Sequence, residues 1–233
     1  MDVRVSSSPD EVGTAVAKLI FSLSKQAIAT HDRFTIALSG GSLPKAIKDT
    51  VDFSKWYVFF ADERCVPLDD DDSNYKACKS ALFDSISVPP KQIYTINTSF
   101  LNPEAVAVDY TRKLANIWGS DVLPRFDLIL LGMGPDGHTC SLFPGHPLLK
   151  ESIMFVAPIN DSPKPPLQRI TLTFPVLNNA AHVAFVATGA NKAELIPHMV
   201  GIEKRTPPLP AANVKPKNGI VYWFIDKDAA AKL

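Results

Sequence analysis

Short runs of apolar, β-favouring residues alternate with segments of helical spacing, and this alternation constrains the fold more than any other feature of the chain. Such runs predict strands at residues 34–38, 56–61, 126–131, 183–187 and 220–225. The run at 126–131 is apolar at nearly every position, which is typical of a central strand covered on both faces. The helical segments between the strands indicate the α/β class. The predicted architecture is a single-domain, Rossmann-like three-layer sandwich, with a mostly parallel sheet and helices on both faces.

Helical spacing and capping residues place helices between these strands. Residues 12–29 carry apolar side chains on one face, and helices are also predicted at 73–83, with Ser73 as N-cap, and at 103–118. Less regular segments predict a helix from Pro44, short strands at 154–157 and 169–173, a helix at 189–200 and a short helix at 226–232. The sequence contains no internal repeat, so residues 1–233 are predicted to form one domain.

The charge balance limits the classes of partner. Lys plus Arg and Asp plus Glu each number 24, so the net charge is zero, which argues against a nucleic-acid-binding or membrane-binding protein. A local positive site for a small anion is compatible with this balance. The three cysteines form no C-x-x-C pair and residues 1–10 contain no apolar leader, so a reducing, cytoplasmic location is expected. A monomer is the expected state.

The first candidate loop follows the strand at 34–38 and consists of Ser39, Gly40, Gly41 and Ser42. Glycines let a backbone approach a ligand closely, N–H groups at the start of a helix point at an anion, and the serines add hydroxyl donors. The loop therefore suits a phosphate group. A plain tight turn would use the same residues, and the sequence alone leaves both interpretations open.

The second candidate loop, Asp62, Glu63 and Arg64, directly follows the strand at 56–61. In open α/β sheets ligands bind at the carboxyl ends of the strands, so charged residues at this point suggest a binding site. A surface cluster of ion pairs is the alternative, and these residues by themselves do not decide between the two.

The third loop, residues 132–144, presents Asp136 and His138 in a frame of glycines. The glycines match the G-x-G-x-x-G of dinucleotide-binding proteins, but Pro135 removes a donor N–H and Asp136 puts negative charge where a pyrophosphate would lie. A dinucleotide site is therefore rejected. An imidazole titrates near neutral pH and a neighbouring carboxylate can orient it, so we interpret His138 as a catalytic base. A satisfied structural histidine is the alternative.

Other features carry less chemistry. Residues 69–72 form an acidic run without the glycine and the later glutamate of a calcium-binding EF-hand loop, so a solvated turn is expected. Cys140 lies close to His138, which allows a Cys–His nucleophile, but a small buried thiol is the preferred interpretation. The remaining histidines have no metal-ligand spacing, so neither a metal nor a cofactor is expected.

Together these segments resemble 6-phosphogluconolactonases of the glucosamine-6-phosphate isomerase/6-phosphogluconolactonase family, most closely the eukaryotic ones, nearly from end to end. The similarity includes Ser-Gly-Gly-Ser at 39–42, Ala-Asp-Glu-Arg-Cys-Val-Pro at 61–67, Asp-Ser-Asn-Tyr at 72–75, Gly-Met-Gly-Pro-Asp-Gly-His-Thr-Cys-Ser-Leu-Phe-Pro at 132–144, Ser-Pro-Lys-Pro-Pro at 162–166, Arg-Ile-Thr-Leu-Thr at 169–173 and Gly-Ala-Asn-Lys-Ala at 189–193. Any one of these segments alone could occur by chance, but their occurrence together in this order is highly specific.

The resemblance implies a fold shared with glucosamine-6-phosphate deaminases and ribose-5-phosphate isomerases. It implies hydrolysis of 6-phospho-D-glucono-1,5-lactone to 6-phospho-D-gluconate in the pentose phosphate pathway. His138 would be the catalytic base with Asp136 beside it, and Arg64 would lie near the lactone. The residues implied to bind the substrate phosphate are Ser39, Gly40, Gly41, Ser42, Arg169 and Lys192, and Asp62 is a further candidate for substrate binding.

Two other functions are weighed against this one. Glucosamine-6-phosphate deaminases share the pattern of Asp136 and His138 but continue to a catalytic Glu, whereas residues 139–145 here contain no acid. A non-catalytic sugar-phosphate sensor would carry a DNA-binding segment, for which this sequence has no spare length and no basic region.

The last residues suggest an alternative location. Ala231, Lys232 and Leu233 resemble the C-terminal S-K-L address of peroxisomal proteins. Alanine and lysine are also common in a terminal helix, so the cytoplasm remains the expected location and the peroxisome is the alternative.

Overall fold

The computed structural model describes residues 1–40 and 51–233, and its strands form two sheets. The described strands are β1 (Asp2–Ser6), β2 (Phe34–Leu38), β3 (Trp56–Phe60), β4 (Asp62–Arg64), β5 (Leu128–Gly132), β6 (Val156–Ile159), β7 (Arg169–Leu172), β8 (His182–Ala187) and β9 (Ile220–Asp226). The main sheet has six strands in the order β1-β9-β8-β5-β2-β3, and all neighbouring strands are parallel. β5 and β8 lie at its centre and are almost entirely buried, as the apolar runs predict.

Helices cover both faces of the main sheet. The described helices are α1 (Pro9–His31), α2 (Asn74–Ala81), α3 (Pro103–Trp118), α4 (Phe174–Leu177) and α5 (Ile196–Met199). Trp56 Nε1 of β3 donates to Ser24 Oγ of α1 at 2.8 Å, whereas Phe59 of β3 packs edge-on against Tyr110 of α3. Since Trp56 and Phe59 point to opposite faces of the strand, α1 and α3 lie on opposite faces of the sheet. The predicted α/β sandwich with a mostly parallel sheet is confirmed.

A second, antiparallel sheet in the order β4-β7-β6 begins where β3 ends. Ala61 joins the two sheets, because its N–H donates to Leu38 O of β2 and its carbonyl accepts from Leu172 N of β7, both at 2.7 Å. Residues 62–64, expected as a loop, are therefore a short strand. One continuous cluster of buried apolar side chains includes residues of both sheets, which favours the predicted single domain over residues 1–233.

Three further segments differ from the prediction. β1 is not predicted, since its polar residues alternate with valines at an exposed edge of the sheet. The helix predicted at 189–200 is instead a short turn, Ala190–Lys192, followed by α5, because Pro197 in the first turn of α5 has no N–H to continue an earlier helix. The predicted helix at 226–232 is a series of turns, in which the Asp226 carboxylate accepts from Ala229 N and Gly189 N.

The helix predicted from Pro44 lies outside the described residues. Within residues 1–40 and 51–233, no helix is long and apolar enough to cross a membrane.

Candidate active site

The loops that follow three parallel strands meet beyond the carboxyl ends of those strands. β2, β3 and β5 run in the same direction, so their carboxyl ends bring together the residues that follow them. These residues and the first residue of β7 line a cavity, here called the histidine cavity. Among the predicted site residues, its walls contain Ser39, Gly40, Asp62, Arg64, His138 and Arg169. A second cavity, here called the lysine cavity, adjoins it through Ser39, Gly40, Gly132 and Met133 and is also lined by Lys192.

Asp136 and His138 form a hydrogen-bonded pair at the wall of the histidine cavity. The bond joins His138 Nδ1 and Asp136 Oδ1, and when Nδ1 carries the proton the lone pair lies on Nε2. Burial lowers the pKa of His138 below its ordinary value of 6.5, and the Asp136 carboxylate partly opposes that shift. At pH 7 the imidazole is therefore neutral and able to accept a proton.

Two glycines give this pair its geometry. A Cβ at Gly134 would collide with the His138 ring, so only glycine fits there. Gly137 has φ of +80°, in the left-handed region that favours glycine, and a Cβ there would lie 2.6 Å from Leu209 Cδ1. The glycine frame thus serves to seat the imidazole, which accounts for the motif without a dinucleotide.

Lys164, which is not among the predicted site residues, lies beside the Asp136–His138 pair. Its Nζ lies 3.3 Å from Asp136 Oδ2 and 3.3 Å from His138 Nδ1. The positive charge acts on His138 in the same direction as burial and lowers its pKa. In the sequence, Lys164 is marked only as part of the segment 162–166 that carries the resemblance, and that segment predicts no role for it.

The Asp62 carboxylate is buried and connects three segments. Oδ1 accepts from Ser39 Oγ at 2.9 Å, and Oδ2 accepts from Ser141 Oγ at 2.8 Å. The Asn74 amide of α2 donates to the Asp62 carbonyl at 2.8 Å. Asp62 therefore ties the loop after β2, the loop after β5 and the start of α2 to β4. Ser141 and Asn74 were not predicted, since hydrogen bonds between distant loops leave no local pattern in the sequence.

Glu63 fixes the start of α2 and with it the position of Asn74. Its carboxylate accepts from the backbone N–H groups of Asn74, at 2.7 Å, and Tyr75, at 2.8 Å. Burial raises the pKa of Glu63 to about 7, and these N–H donors oppose the shift. The Asn74 amide occupies the space that a Cβ at Gly40 would need. Gly40 is therefore required by packing, whether or not a phosphate binds beside it.

Arg64 and Arg169 are direct partners in the register of β4 and β7, and both line the histidine cavity. Burial and the neighbouring Arg64 guanidinium lower the pKa of Arg169. Two adjacent guanidinium groups favour an anion or a developing negative charge at this point. Arg64 Nη1 donates a hydrogen bond to Asp72 O at 2.8 Å. The Nε of Arg64 is buried and has no hydrogen-bond partner among residues 1–40 and 51–233.

Lys192 lies apart from the two arginines, in the lysine cavity. Burial lowers its pKa, and the positive charge of Lys164 acts in the same direction. The structure thus brings Lys192 close to Ser39 and Gly40 but separates it from Arg169, although the resemblance implies that all of these residues bind one phosphate. Gly41 and Ser42, the other two predicted phosphate ligands, lie outside the described residues.

The Cys140 side chain is buried at the histidine cavity, and its backbone has φ of +50°. Burial raises the pKa of the thiol well above its ordinary value. A protonated thiol is a poor nucleophile, so the site favours the interpretation of Cys140 as a small buried side chain over a Cys–His nucleophile.

Comparisons with known proteins identify the family of this chain. Residues 7–223 match the family described as glucosamine-6-phosphate isomerases/6-phosphogluconolactonase. A probable 6-phosphogluconolactonase of Schizosaccharomyces pombe is 45% identical, over 100% of this chain and 96% of its own length. The 6-phosphogluconolactonase of Homo sapiens is 45% identical, over 99% of this chain and 93% of its own. The structure of the Trypanosoma brucei 6-phosphogluconolactonase superimposes with a TM-score of 0.86 at 28% identity, covering 100% of this chain and 98% of that one.

Proposed function

The chain belongs to the glucosamine-6-phosphate isomerase/6-phosphogluconolactonase family, and from that premise we propose that it hydrolyses 6-phospho-D-glucono-1,5-lactone to 6-phospho-D-gluconate, a step of the oxidative pentose phosphate pathway. The observation that carries the proposal is the neutral His138 imidazole, held by Asp136 in a cavity that also presents two arginines. Ester hydrolysis requires a base for water and positive groups for the carbonyl oxygen, and this site supplies both.

In the proposed reaction, Nε2 of His138 removes a proton from a water molecule as its oxygen adds to C1 of the lactone. Negative charge then develops on the carbonyl oxygen, where the guanidinium of Arg64, which lines the histidine cavity, stabilises it. The C1–O5 bond breaks next, and the imidazolium returns its proton to the departing ring oxygen. Asp136 keeps the imidazole in the required tautomer and stabilises its protonated form. No cofactor enters any of these steps.

The phosphate end of the substrate is assigned to the lysine cavity. Lys192 supplies a positive charge there, Ser39 and Gly40 line both cavities, and Gly41 and Ser42 follow them in the sequence. The substrate would then extend from the lysine cavity, where the phosphate binds, to the histidine cavity, where the lactone reacts. Asp62 supports this path by holding Ser39.

A glucosamine-6-phosphate deaminase is the alternative within the family, and it is not favoured. Ring opening and isomerisation need a further acid/base group after His138, but residues 139–145 contain no acid. The hydroxyl of Ser141 in this loop donates to Asp62 Oδ2 at 2.8 Å, so it is engaged in a structural hydrogen bond.

A lactonase assay tests the proposal directly. The purified protein should accelerate loss of 6-phospho-D-glucono-1,5-lactone well above the spontaneous rate, and it should release no ammonia from glucosamine 6-phosphate. Lys192→Ala should raise KM about tenfold with little change in kcat, because phosphate binding is largely uniform between ground and transition states. Lactone loss at the spontaneous rate, or ammonia release, would contradict the assignment.

A monomeric, cytoplasmic enzyme is proposed, with the peroxisome as the alternative location. Lys232 of the terminal tripeptide forms an ion pair with Glu194, so an import receptor would have to break that contact. A fluorescent protein fused ahead of residues 229–233 tests the address in cells. Diffuse fluorescence would support the cytoplasm, and punctate fluorescence that is lost on deletion of Leu233 would support import. Light scattering of the purified protein tests the monomer.

A further inference from the structure

Arg169 is buried, with only 3% of its surface exposed, and backbone carbonyls take up most of its hydrogen-bonding capacity. Nε donates to Pro166 O at 2.9 Å, and Nη2 donates to Lys164 O at 2.9 Å and to Pro165 O at 3.0 Å. Nη1 lies 3.4 Å from Ser141 Oγ. A guanidinium has five N–H groups, so these contacts leave one for a substrate, too few for the two-point fork by which arginine binds phosphate.

The carbonyls that Arg169 binds belong to the segment that carries Lys164. A hydrogen bond within the same segment also holds it, because Ser162 Oγ donates to Lys164 O at 2.7 Å. The ammonium of Lys164 reaches from this segment to Asp136 and His138, 3.3 Å from each. The Lys164 side chain is 39% exposed. Its position beside the pair therefore depends on how firmly its backbone is held.

We propose that Arg169 is a positioning residue: by holding the carbonyls of Lys164, Pro165 and Pro166 it fixes the Lys164 ammonium beside the Asp136–His138 pair. The proposal rests on the proposed function in one respect, that this pair is the catalytic base. It gives Arg169 a different part from the phosphate contact that the resemblance implies.

The charged groups around His138 make the effect measurable. Asp136 and Asp62 raise the pKa of the imidazole, and Lys164 lowers it. If release of the segment lets Lys164 move away, the pKa of His138 should rise. Arg169→Lys is the variant of choice, since it keeps the positive charge at 169 but cannot hold three carbonyls at once.

A double-mutant cycle of Arg169→Lys and Lys164→Met tests the proposal. We expect Arg169→Lys to lower kcat about tenfold, with less than a twofold change in the inhibition constant of inorganic phosphate. Titration of His138 by NMR should show a raised pKa in each single variant and no additional rise in the double variant. The kcat effects should likewise be less than additive, because both substitutions remove the same contact.

Arg125→Lys is the matched control. Arg125 also donates to two backbone carbonyls, Asn179 O and Asn218 O, each at 2.8 Å, but it precedes β5 at the opposite edge of the sheet. This variant should keep the wild-type kcat and the wild-type His138 titration.

Other outcomes would overturn the proposal. A tenfold weaker inhibition by phosphate with kcat retained would make Arg169 a phosphate ligand. Additive effects in the cycle, or an unchanged kcat and His138 titration in Arg169→Lys, would show that Arg169 does not act through Lys164. If Arg169→Lys does not fold, Lys164→Met decides alone, because an unchanged His138 pKa in that variant would refute the link. The NMR titration needs no turnover, so it stands even if the wild-type protein fails the lactonase assay.

Discussion

Two aspartates border the same cavity in opposite circumstances. Asp136, on the loop after β5, has a side chain that is 37% exposed. Its carboxylate contacts the imidazole of His138 and the ammonium of Lys164. Asp62, on β4, is only 3% exposed, and its carboxylate accepts hydrogen bonds from the hydroxyls of Ser39 and Ser141. One carboxylate is hydrogen-bonded directly to a titrating group, and the other accepts hydrogen bonds from neutral hydroxyl donors.

The difference indicates a catalytic role for Asp136 and a structural role for Asp62 within a single site. A proton that arrives at His138 changes the charge that Asp136 faces, so this pair responds during a reaction. The hydroxyl partners of Asp62 keep the same charge throughout, and Asp62 acts on His138 only through its charge, with a smaller effect than Asp136. The main role of this carboxylate is therefore to hold loops in place. Substitutions at the Asp136–His138 pair should therefore lower kcat, whereas substitutions at Asp62 should mainly lower the free energy of unfolding.

Removal of the imidazole should have the largest effect. We expect His138→Ala to lower kcat by about 10²- to 10⁴-fold, the usual contribution of a general base. The variant should still fold and bind 6-phospho-D-gluconate, which calorimetry can measure. His31→Ala is the control, since His31 pairs with Asp127 at 3.0 Å just before β2 begins, at the opposite edge of the sheet. Full activity in His138→Ala would remove the base assignment.

Asp136→Asn should have the next largest effect. A hydrogen bond to a charged group contributes about 1.5–3 kcal/mol, so kcat should fall roughly 10- to 150-fold. In the wild type, kcat/KM should fall as the pH drops through the His138 pKa, which lies below 6.5. The Asp136 charge raises that pKa, so in Asp136→Asn the acid limb should move to lower pH.

The substrate phosphate itself titrates near pH 6, so the kinetic profile needs an independent check. NMR titration of His138 in the free enzyme supplies it, because no substrate is present. A His138 pKa that rises in Asp136→Asn would contradict the assigned pairing.

The same comparison shows what the sequence could predict. Asp136 and His138 are neighbours in sequence within a frame of glycines, so their pairing follows from local rules, and it was predicted. The contacts of Asp62 join residues separated by 23 and 79 positions, and no local rule specifies such pairs. The grouping of Arg169 and Lys192 at one phosphate stays a prediction. The two residues line different cavities, and no local pattern in the sequence specifies which cavity each one lines.

The fold follows a similar division. Strands with continuous apolar runs, such as β3 and β8, are predicted within one or two residues, and the predicted bounds of α3 are those observed. Residues 62–64 are misjudged because pairing with β7, far along the chain, makes them a strand. Burial and local spacing are visible in a sequence, whereas a second sheet of short strands depends on contacts that form only in the folded chain.

Asp62→Asn tests the other side of the comparison and should act mainly on stability. One buried hydroxyl loses its acceptor, which costs about 1–3 kcal/mol in the free energy of unfolding. Thermal or urea unfolding measures the loss, and Asp127→Asn is a matched control, since Asp127 accepts from Thr35 Oγ1 at 2.7 Å away from the site. The acid limb of kcat/KM should move less than in Asp136→Asn. A loss of kcat as large as that of His138→Ala, with stability unchanged, would instead give Asp62 a direct part in the reaction.

Cys140→Ser should have the smallest effect, and it is the variant that separates two mechanisms. A Cys–His nucleophile and a His-activated water both need His138, so loss of activity in His138→Ala fits either. Only the first needs a thiolate, and burial raises the pKa of Cys140 well above the range in which a thiolate forms at neutral pH. We expect kcat within about twofold of wild type, and a decrease in stability of about 1 kcal/mol or less. If turnover were lost while the unfolding transition stayed intact, His138 would serve a thiol, and the water-activating role would have to be withdrawn.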